Sequence, residues 1–245
     1  MKTADCNRAL WKQFRPLGFL QFGAGFARKA GDLIQSCSLK RTQDNGDFSF
    51  EFGVCPLCMK LPVSLDGGVY ETDSFSISEP QQEDENVTER FFSEAFQIVE
   101  KEILPFFNRC CECSLALSEL WSLEKSMEKK RLERLRLKGM EDCAIPFDQR
   151  FLCDPRKYYI ALKAEDFSFV RRFLEFHTTP SKTRPNWNRK TLEMFEEHFC
   201  RLREKDVSYF KRVLLENEAD FRRHFFENYP RCAKQWFPKG FSATL

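Results

Sequence analysis

The sequence lacks the long apolar runs that membrane spans and secretion signals require. No window approaches the roughly 18 uninterrupted apolar residues of a membrane helix. The segment Met1 to Arg8 contains no apolar core of the kind found in signal peptides. These absences predict a cytoplasmic protein that has no membrane partner.

The net charge of the chain is small, and histidines are few. The 39 basic and 37 acidic residues leave a formal net charge of +2, which is too little to indicate a general surface for nucleic acid. The three histidines, His177, His198 and His224, have no spacing that would bring them together. The chain also contains no G-x-S-x-G motif, P-loop or dinucleotide-binding fingerprint. We therefore expect a non-catalytic protein, with an unrecognised enzyme as an alternative.

Phenylalanine and cysteine, in contrast, are abundant. With 42% hydrophobic residues, among them 27 phenylalanines, the 245-residue chain can bury a large core without disulfides. The 11 cysteines are an odd number. An odd number in a long chain without a secretion signal is typical of reduced thiols rather than of a disulfide framework.

The clearest local pattern is a β-hairpin between Gly31 and Pro56. Asn45-Gly46, a dipeptide typical of two-residue type I′ turns, separates two runs in which apolar and polar residues alternate. A shift of one residue would move every side chain to the other face. The register that we predict pairs apolar with apolar and cation with anion: Leu39 with Phe52, Cys37 with Val54, and Lys40 with Glu51.

Further elements around this hairpin predict an α+β domain over residues 1–113. A first amphipathic helix covers residues 3–15. The run after it adds a strand to the hairpin, which gives a three-stranded antiparallel meander, and residues 69–77 can add a fourth strand. A second helix over residues 88–105, with Thr88 as its N-cap, has an apolar face that can cover one side of the sheet.

Residues 114–245 predict an all-helical extension. Its first helix, over residues 115–139, is apolar in its first half and heavily charged in its second half. Four more helices are predicted by apolar periodicity and by caps, with Asp166 as one cap and either Asp206 or Ser208 as another. They cover residues 158–164, 167–176, 189–204 and 206–228. The expected fold class is therefore α+β, with an antiparallel β-meander flanked by helices and followed by a helical extension.

Several short motifs of turn and core residues follow one another in the first 107 residues. They are Pro16-Leu17-Gly18-Phe19, Gly25-Phe26, Gly31-Asp32-Leu33-Ile34-Gln35, Leu39-Lys40-Arg41, Phe52-Gly53-Val54 with Pro56, and Ile103-Leu104-Pro105-Phe106-Phe107. In these motifs residues 1–107 resemble a bacterial family known as domain of unknown function 4304. The chain departs from the family at Leu20-Gln21, where basic residues are expected, and at the cysteines at positions 55, 58, 110, 111 and 113. The resemblance implies a fold, but no activity, cofactor or catalytic residue.

A protein partner is the interaction that we expect, for example in neutralising a toxin or in serving a defence or stress locus. The candidate contact residues lie on the sheet near the hairpin. Gln35 is the one polar residue that alternation places on the inner face, so its amide is either hydrogen-bonded to the backbone or to Arg41, or it contacts a ligand. The candidate binding residues are Gln35, Ser36, Ser38, Lys40 and Glu51.

Two C-x-x-C motifs, Cys55 with Cys58 and Cys110 with Cys113, give the sharpest chemical signal. This spacing lets two thiolates bind one tetrahedral zinc ion. The two motifs are, however, much further apart than the roughly 15–20 residues found in common zinc sites. We therefore expect no cofactor, with a zinc-stabilised module and a redox-active pair as alternatives. The sequence gives no indication of the oligomeric state.

The run from Lys125 to Lys138 holds seven cations against Glu124, Glu128 and Glu133, with leucines between them. We expect a solvated helix with charge pairs between successive turns. A nucleic-acid surface is the alternative, and its affinity would fall steeply with salt.

Overall fold

The protein has the α+β fold that the sequence predicts. Its computed structural model describes residues 3–41, 47–60, 70–72, 85–140, 145–179 and 187–238. Within these ranges a five-stranded antiparallel sheet is flanked by helices, and the C-terminal region is helical. No helix in this described part of the chain is long and apolar enough to cross a membrane.

The chain divides into two compact units. The first unit contains residues 1–112 and 220–245, and the second contains residues 113–219. The sequence analysis places one division near residue 113, whereas the structure has a second division at residue 220. That second division falls inside a long helix.

The sheet of the first unit has the strand order β1-β2-β3-β4-β5. Its strands are β1 (Leu20–Phe22), β2 (Gly25–Ala30), β3 (Leu33–Arg41), β4 (Phe48–Pro56) and β5 (Tyr70–Glu71). The single strand predicted after the first helix is in fact two strands, because Gly23, with a φ of +55°, allows a tight turn between them. β5 lies within the strand predicted over residues 69–77, of which residues 69 and 73–77 lie outside the described ranges.

The predicted hairpin register is wrong by two residues. Leu39 lies opposite Phe50 rather than Phe52, and Cys37 lies opposite Phe52. A shift of two keeps each side chain on its predicted face, so the alternation of apolar and polar residues cannot detect it. Turn geometry sets the register instead, and the turn, residues 42–46, lies outside the described part of the chain.

Three helices cover one face of this sheet: α1 (Thr3–Phe14), α2 (Glu85–Ile98) and α3 (Leu104–Arg109). Phe14 stacks on Phe26 with 4.2 Å between ring centroids. Phe106 meets Phe52 edge to face at 5.5 Å. Burial of large aromatic side chains between helices and sheet is a major apolar contribution to stability.

The second predicted helix is longer than expected at both ends. It begins at Glu85, so Thr88 is not its N-cap, and it continues to Arg109 instead of ending near Pro105. A π turn over Val99–Ile103 separates its two α-helical parts. Pro105 consequently stands in the first turn of α3, where a missing N–H is least costly.

The second unit is entirely helical among the residues described. Its helices are α4 (Cys113–Leu137), α5 (Phe147–Phe151), α6 (Pro155–Lys163), α7 (Phe167–Thr178), α8 (Arg189–Arg203) and the first part of α9 (Val207–Asn228). The predicted caps are confirmed: Asp166 accepts a bond from Phe169 N at 3.1 Å and Asp206 accepts one from Tyr209 N at 3.0 Å. α5 is not among the helices that the sequence predicts.

The end of the described chain belongs to the first unit. Phe225 near the end of α9 stacks on Phe22 of β1 at 5.6 Å, and Tyr229 meets the same ring at 4.4 Å. A last helix, α10 (Pro230–Trp236), follows and is not among the predicted helices. Trp236 from this helix lies 6.1 Å from the Phe22 ring. This aromatic packing places the C-terminal residues against the sheet.

Candidate functional site

Polar side chains collect on the face of the sheet opposite α1, α2 and α3. Cross-strand pairs share a face, and Ser38 lies opposite Glu51, which in turn lies opposite Glu71. We call this the polar sheet face. Its residues are Ser36, Ser38, Lys40, Ser49, Glu51 and Glu71.

An ion pair crosses this face diagonally. Lys40 lies opposite Ser49 rather than opposite Glu51, as the shifted register requires. Lys40 Nζ nevertheless lies 2.5 Å from Glu51 Oε2, and the two side chains are 48% and 23% exposed. Ser49 Oγ donates to Glu71 Oε1 at 2.5 Å. Both carboxylates of the face therefore have defined partners, and their positions are set by the strands.

Ser38 contributes little surface to this face. It is 4% exposed, and its Oγ has no hydrogen-bond partner within the described ranges. β2 approaches it so closely that a Cβ on Gly25 would lie 2.6 Å from Ser38 Cβ and 2.5 Å from Cys37 O. Ser38 is therefore a position of tight strand packing, and Ser36, which is half-buried, is the more accessible of the two predicted serines.

Gln35 points to the opposite, helix-covered face, where its amide is hydrogen-bonded. Its Nε2 donates to Phe107 O at 2.6 Å and to Cys110 O at 3.0 Å. Its Oε1 accepts from Arg28 Nε at 2.7 Å. Of the two roles left open by the sequence, this geometry supports the structural amide. The predicted partner Arg41 is replaced by Arg28, which lies directly opposite Gln35 on β2.

Arg28 extends this network to three more groups. Its guanidinium donates to Leu17 O at 3.1 Å and to Asn108 Oδ1 at 3.2 Å, and it lies 4.7 Å from the centre of the Phe19 ring. Burial lowers the pKa of Arg28 below its ordinary value. The Gln35–Arg28 network thus fastens the end of α3 to the sheet, and we assign it a structural role.

The four cysteines of the two C-x-x-C motifs belong to no group of three or more metal-ligating side chains among the described residues. Cys55, Cys58, Cys110 and Cys113 are all buried. The described residues contain no group of three or more His, Cys, Asp or Glu side chains that could hold a metal ion. Cys55 instead lies near sulfur and carbonyl groups of its own turn, 3.9 Å from Met59 Sδ and 3.7 Å from Pro56 O.

His177, in the second unit, is held as a neutral imidazole. It is fully buried. Trp187 Nε1 donates to its Nδ1 at 2.8 Å, and its Nε2 lies 2.8 Å from Leu152 O. A carbonyl oxygen only accepts, so Nε2 must carry the proton and Nδ1 the lone pair. Both ring nitrogens are engaged, which is the arrangement of a structural histidine rather than of a general base.

His198 belongs to the same aromatic core. Its Nδ1 lies 2.6 Å from Tyr158 Oη, and both residues are buried. Burial, followed by the nearby Tyr159 and Tyr209, raises the pKa of Tyr158 well above its ordinary value. The ring of Phe195 contacts both groups of side chains: its centroid lies 5.5 Å from that of His177 and 5.8 Å from that of Tyr158, the partner of His198.

The sequence analysis does not predict this convergence, although a signal is present. His177 stands four residues after Phe173 in α7, and His198 stands three residues after Phe195 in α8. Each histidine therefore occupies a position on the apolar stripe of its helix. Burial on that stripe, rather than spacing between the histidines, brings them into one core. His224 belongs to the first unit.

A buried ion pair links α4 to α6 and is also absent from the sequence predictions. Glu124 is 5% exposed and Lys157 is 2% exposed. Lys157 Nζ lies 2.5 Å from Glu124 Oε1, donates to Phe151 O at 3.2 Å and lies 4.0 Å from the centre of the Phe151 ring. Arg150 forms an ion pair with Glu128 and lies 3.7 Å from Glu124 Oε2.

This arrangement corrects the expectation for the first turns of the charged run. Glu124 is buried and Glu128 is half-buried, so the two carboxylates face α5 and α6 rather than solvent. Glu128 also pairs with Arg131, one turn later, at 3.3 Å. The last three turns of α4 are largely exposed, as the sequence predicts.

A comparison of the chain with protein-family models, with curated proteins and with solved structures found no match in any of the three.

Proposed function

We propose that the protein is a non-catalytic protein-interaction module whose contact surface is the polar sheet face. The observation that carries this proposal is the ion pair between Lys40 and Glu51. Two oppositely charged side chains, 48% and 23% exposed, are held at 2.5 Å on paired strands. Partly exposed charges in fixed positions give orientation and specificity to a protein contact more than they give raw affinity.

The surroundings of the ion pair suit a flat protein contact. The other face of the sheet is covered by α1, α2 and α3. On this face Phe225, Tyr229 and Trp236 cover Phe22 of β1, so the part that can meet a partner is the one around Lys40, Glu51 and Glu71 on β3, β4 and β5. Glu71, on the edge strand, is exposed and is fixed by Ser49. Lys40, Glu51 and Glu71 therefore present one cation and two anions at defined spacings along three neighbouring strands.

The proposal extends to the biological role that we expect from the sequence. The resemblance of residues 1–107 to a bacterial domain of unknown function carries no catalytic set. A bacterial cytoplasmic protein that binds another protein, for example a toxin that it neutralises, is consistent with that resemblance and with the polar sheet face.

Site-specific photo-crosslinking in the native host tests this proposal. A photoreactive residue at Ser36, which is half-buried at the contact surface, is expected to give a discrete adduct with one protein. The matched control is the same residue at Arg189, whose side chain is 91% exposed on α8 in the second unit. Identical adducts at both positions, or no adduct at Ser36, would contradict the proposal.

A further inference from the structure

The last turns of α4, together with Lys138 directly after its end, concentrate the positive charge of the protein. Residues 129–138 contain six lysines and arginines and one glutamate, a net charge of +5. The whole chain has a net charge of +2, so the remaining residues together are net negative. The electrostatic footprint that the overall composition lacks is therefore present locally, on one helical segment.

Four residues of this segment share one face of the helix. At 100° per residue, Lys130, Arg134, Leu137 and Lys138 fall within a sector about 100° wide. All four are exposed, and Leu137 is 82% exposed. We call this set the basic α4 face. Arg131, by contrast, is half-buried and pairs with Glu128.

We infer that the basic α4 face binds an acidic segment of another protein that also contributes an apolar side chain. The three cations complement carboxylates, and Leu137 offers an apolar contact at the edge of the same sector. An exposed leucine that lies among cations favours a partner surface that has both carboxylates and an apolar side chain. This surface lies in the second unit, so the inference goes beyond the polar sheet face and does not depend on it.

Two other occupants fit the geometry less well. A phosphate backbone complements the cations but offers no apolar group to Leu137 or to Leu132, which is 44% exposed. A membrane surface needs a continuous apolar stripe along the helix. Leu132 and Leu137 are about 140° apart around the helix axis, so they do not form one.

Fluorescence anisotropy with three labelled probes tests the inference on the full chain. The first probe is a Glu-rich peptide that contains two leucines, and the second is the same peptide with glutamine in place of leucine. The third is a duplex of about 20 base pairs. The wild-type protein is expected to bind the leucine peptide about tenfold more tightly than either other probe.

Two matched triple variants separate the basic α4 face from overall charge. Lys130→Gln, Arg134→Gln and Lys138→Gln together are expected to weaken binding of the leucine peptide about tenfold. Arg171→Gln, Arg172→Gln and Lys190→Gln remove the same charge from other exposed positions of the second unit, and we expect a change of less than about twofold. Glutamine has a helix propensity close to that of lysine and arginine, so circular dichroism should show unchanged helix content.

A single variant tests the apolar part of the contact. Leu137→Gln is expected to abolish the preference for the leucine peptide while leaving binding of the glutamine peptide unchanged. The inference is overturned if the duplex binds most tightly, if both triple variants weaken binding equally, or if neither peptide binds.

Discussion

Lys157 Nζ lies 2.5 Å from Glu124 Oε1, and both side chains are almost fully buried between α4 and α6. Removing one member of a buried pair leaves the other charge without compensation, which typically costs about 3–5 kcal/mol. We expect Lys157→Met to lower the free energy of unfolding by about 3 kcal/mol, the low end of that range, because Arg150 remains near Glu124. Urea unfolding followed by circular dichroism measures this change.

Two comparisons make that prediction specific. The double variant Glu124→Leu with Lys157→Met removes both charges and should recover most of the lost stability. Loss of the exposed pair between Arg189 and Glu193 should cost about 0.5 kcal/mol or less. If Lys157→Met costs no more than loss of the exposed pair, the variant does not leave Glu124 as an uncompensated buried charge, and the account of this pair is contradicted.

A second prediction concerns Gln35. Gln35→Leu leaves Phe107 O, Cys110 O and Arg28 Nε without their present partner, so we expect a loss of about 2–3 kcal/mol. Gln35→Glu should also destabilise the protein, because a carboxylate can accept from Arg28 but would face two carbonyl oxygens. Thermal unfolding of both variants measures the effect, and a stability equal to that of the wild type would show that the network is dispensable.

A third prediction follows from the approach of β2 to β3. Gly25→Ala would place a Cβ 2.5 Å from Cys37 O, so the strands must separate at a cost of about 2–3 kcal/mol, the upper part of the range for overpacking. Gly18→Ala is the matched control, because Gly18 has a φ of +79° but nothing within 4 Å of its added Cβ. It should cost about 1 kcal/mol through backbone strain alone. An equal or smaller loss for Gly25→Ala would contradict the close approach.

Tyr158 leads to a prediction about pH. Its pKa in the folded protein is raised well above the ordinary value of 10.0, so above about pH 10 the unfolded chain loses this proton while the folded protein keeps it. Stability that is fully present below pH 10 is therefore lost as the pH rises further, by about 1.4 kcal/mol per pH unit for this group.

The variant Tyr158→Phe isolates this contribution. It should be less stable than the wild type at pH 7, by about 1–3 kcal/mol, because the buried His198 Nδ1 loses its partner. The difference should shrink between pH 10 and pH 11, since phenylalanine has no proton to lose. Urea midpoints at these pH values test the prediction, and a difference that stays constant with pH would refute it.

Local chemistry explains which parts of the fold the sequence predicts. Asp166 and Asp206 are recognised as helix caps because capping depends on the few residues that follow them. The two-residue alternation of β3 and β4 assigns Leu39 and Lys40 to their faces for the same reason. The register itself depends on the turn, and this is why Leu39 is predicted opposite Phe52 but lies opposite Phe50.

In the candidate sites, too, the sequence predicts local features but not contacts between distant parts of the chain. Alternation identifies Gln35 as a polar residue on the inner face, but its partner Arg28 comes from a strand whose position the sequence pattern does not determine. Glu124 and Lys157 are each ordinary charged residues of a helix, and only the packing of α4 against α6 makes them a pair. Spacing within the C-x-x-C motifs similarly says nothing about whether two distant motifs meet.

The measurement that tests the proposed function most directly is a charge swap on the polar sheet face. Lys40→Glu with Glu51→Lys keeps the ion pair and should leave the melting temperature unchanged, but it reverses the charges that a partner meets. We expect the protein crosslinked from Ser36 to be lost in this variant. Unchanged crosslinking in the charge-swapped protein would contradict the assignment of the polar sheet face as the contact surface.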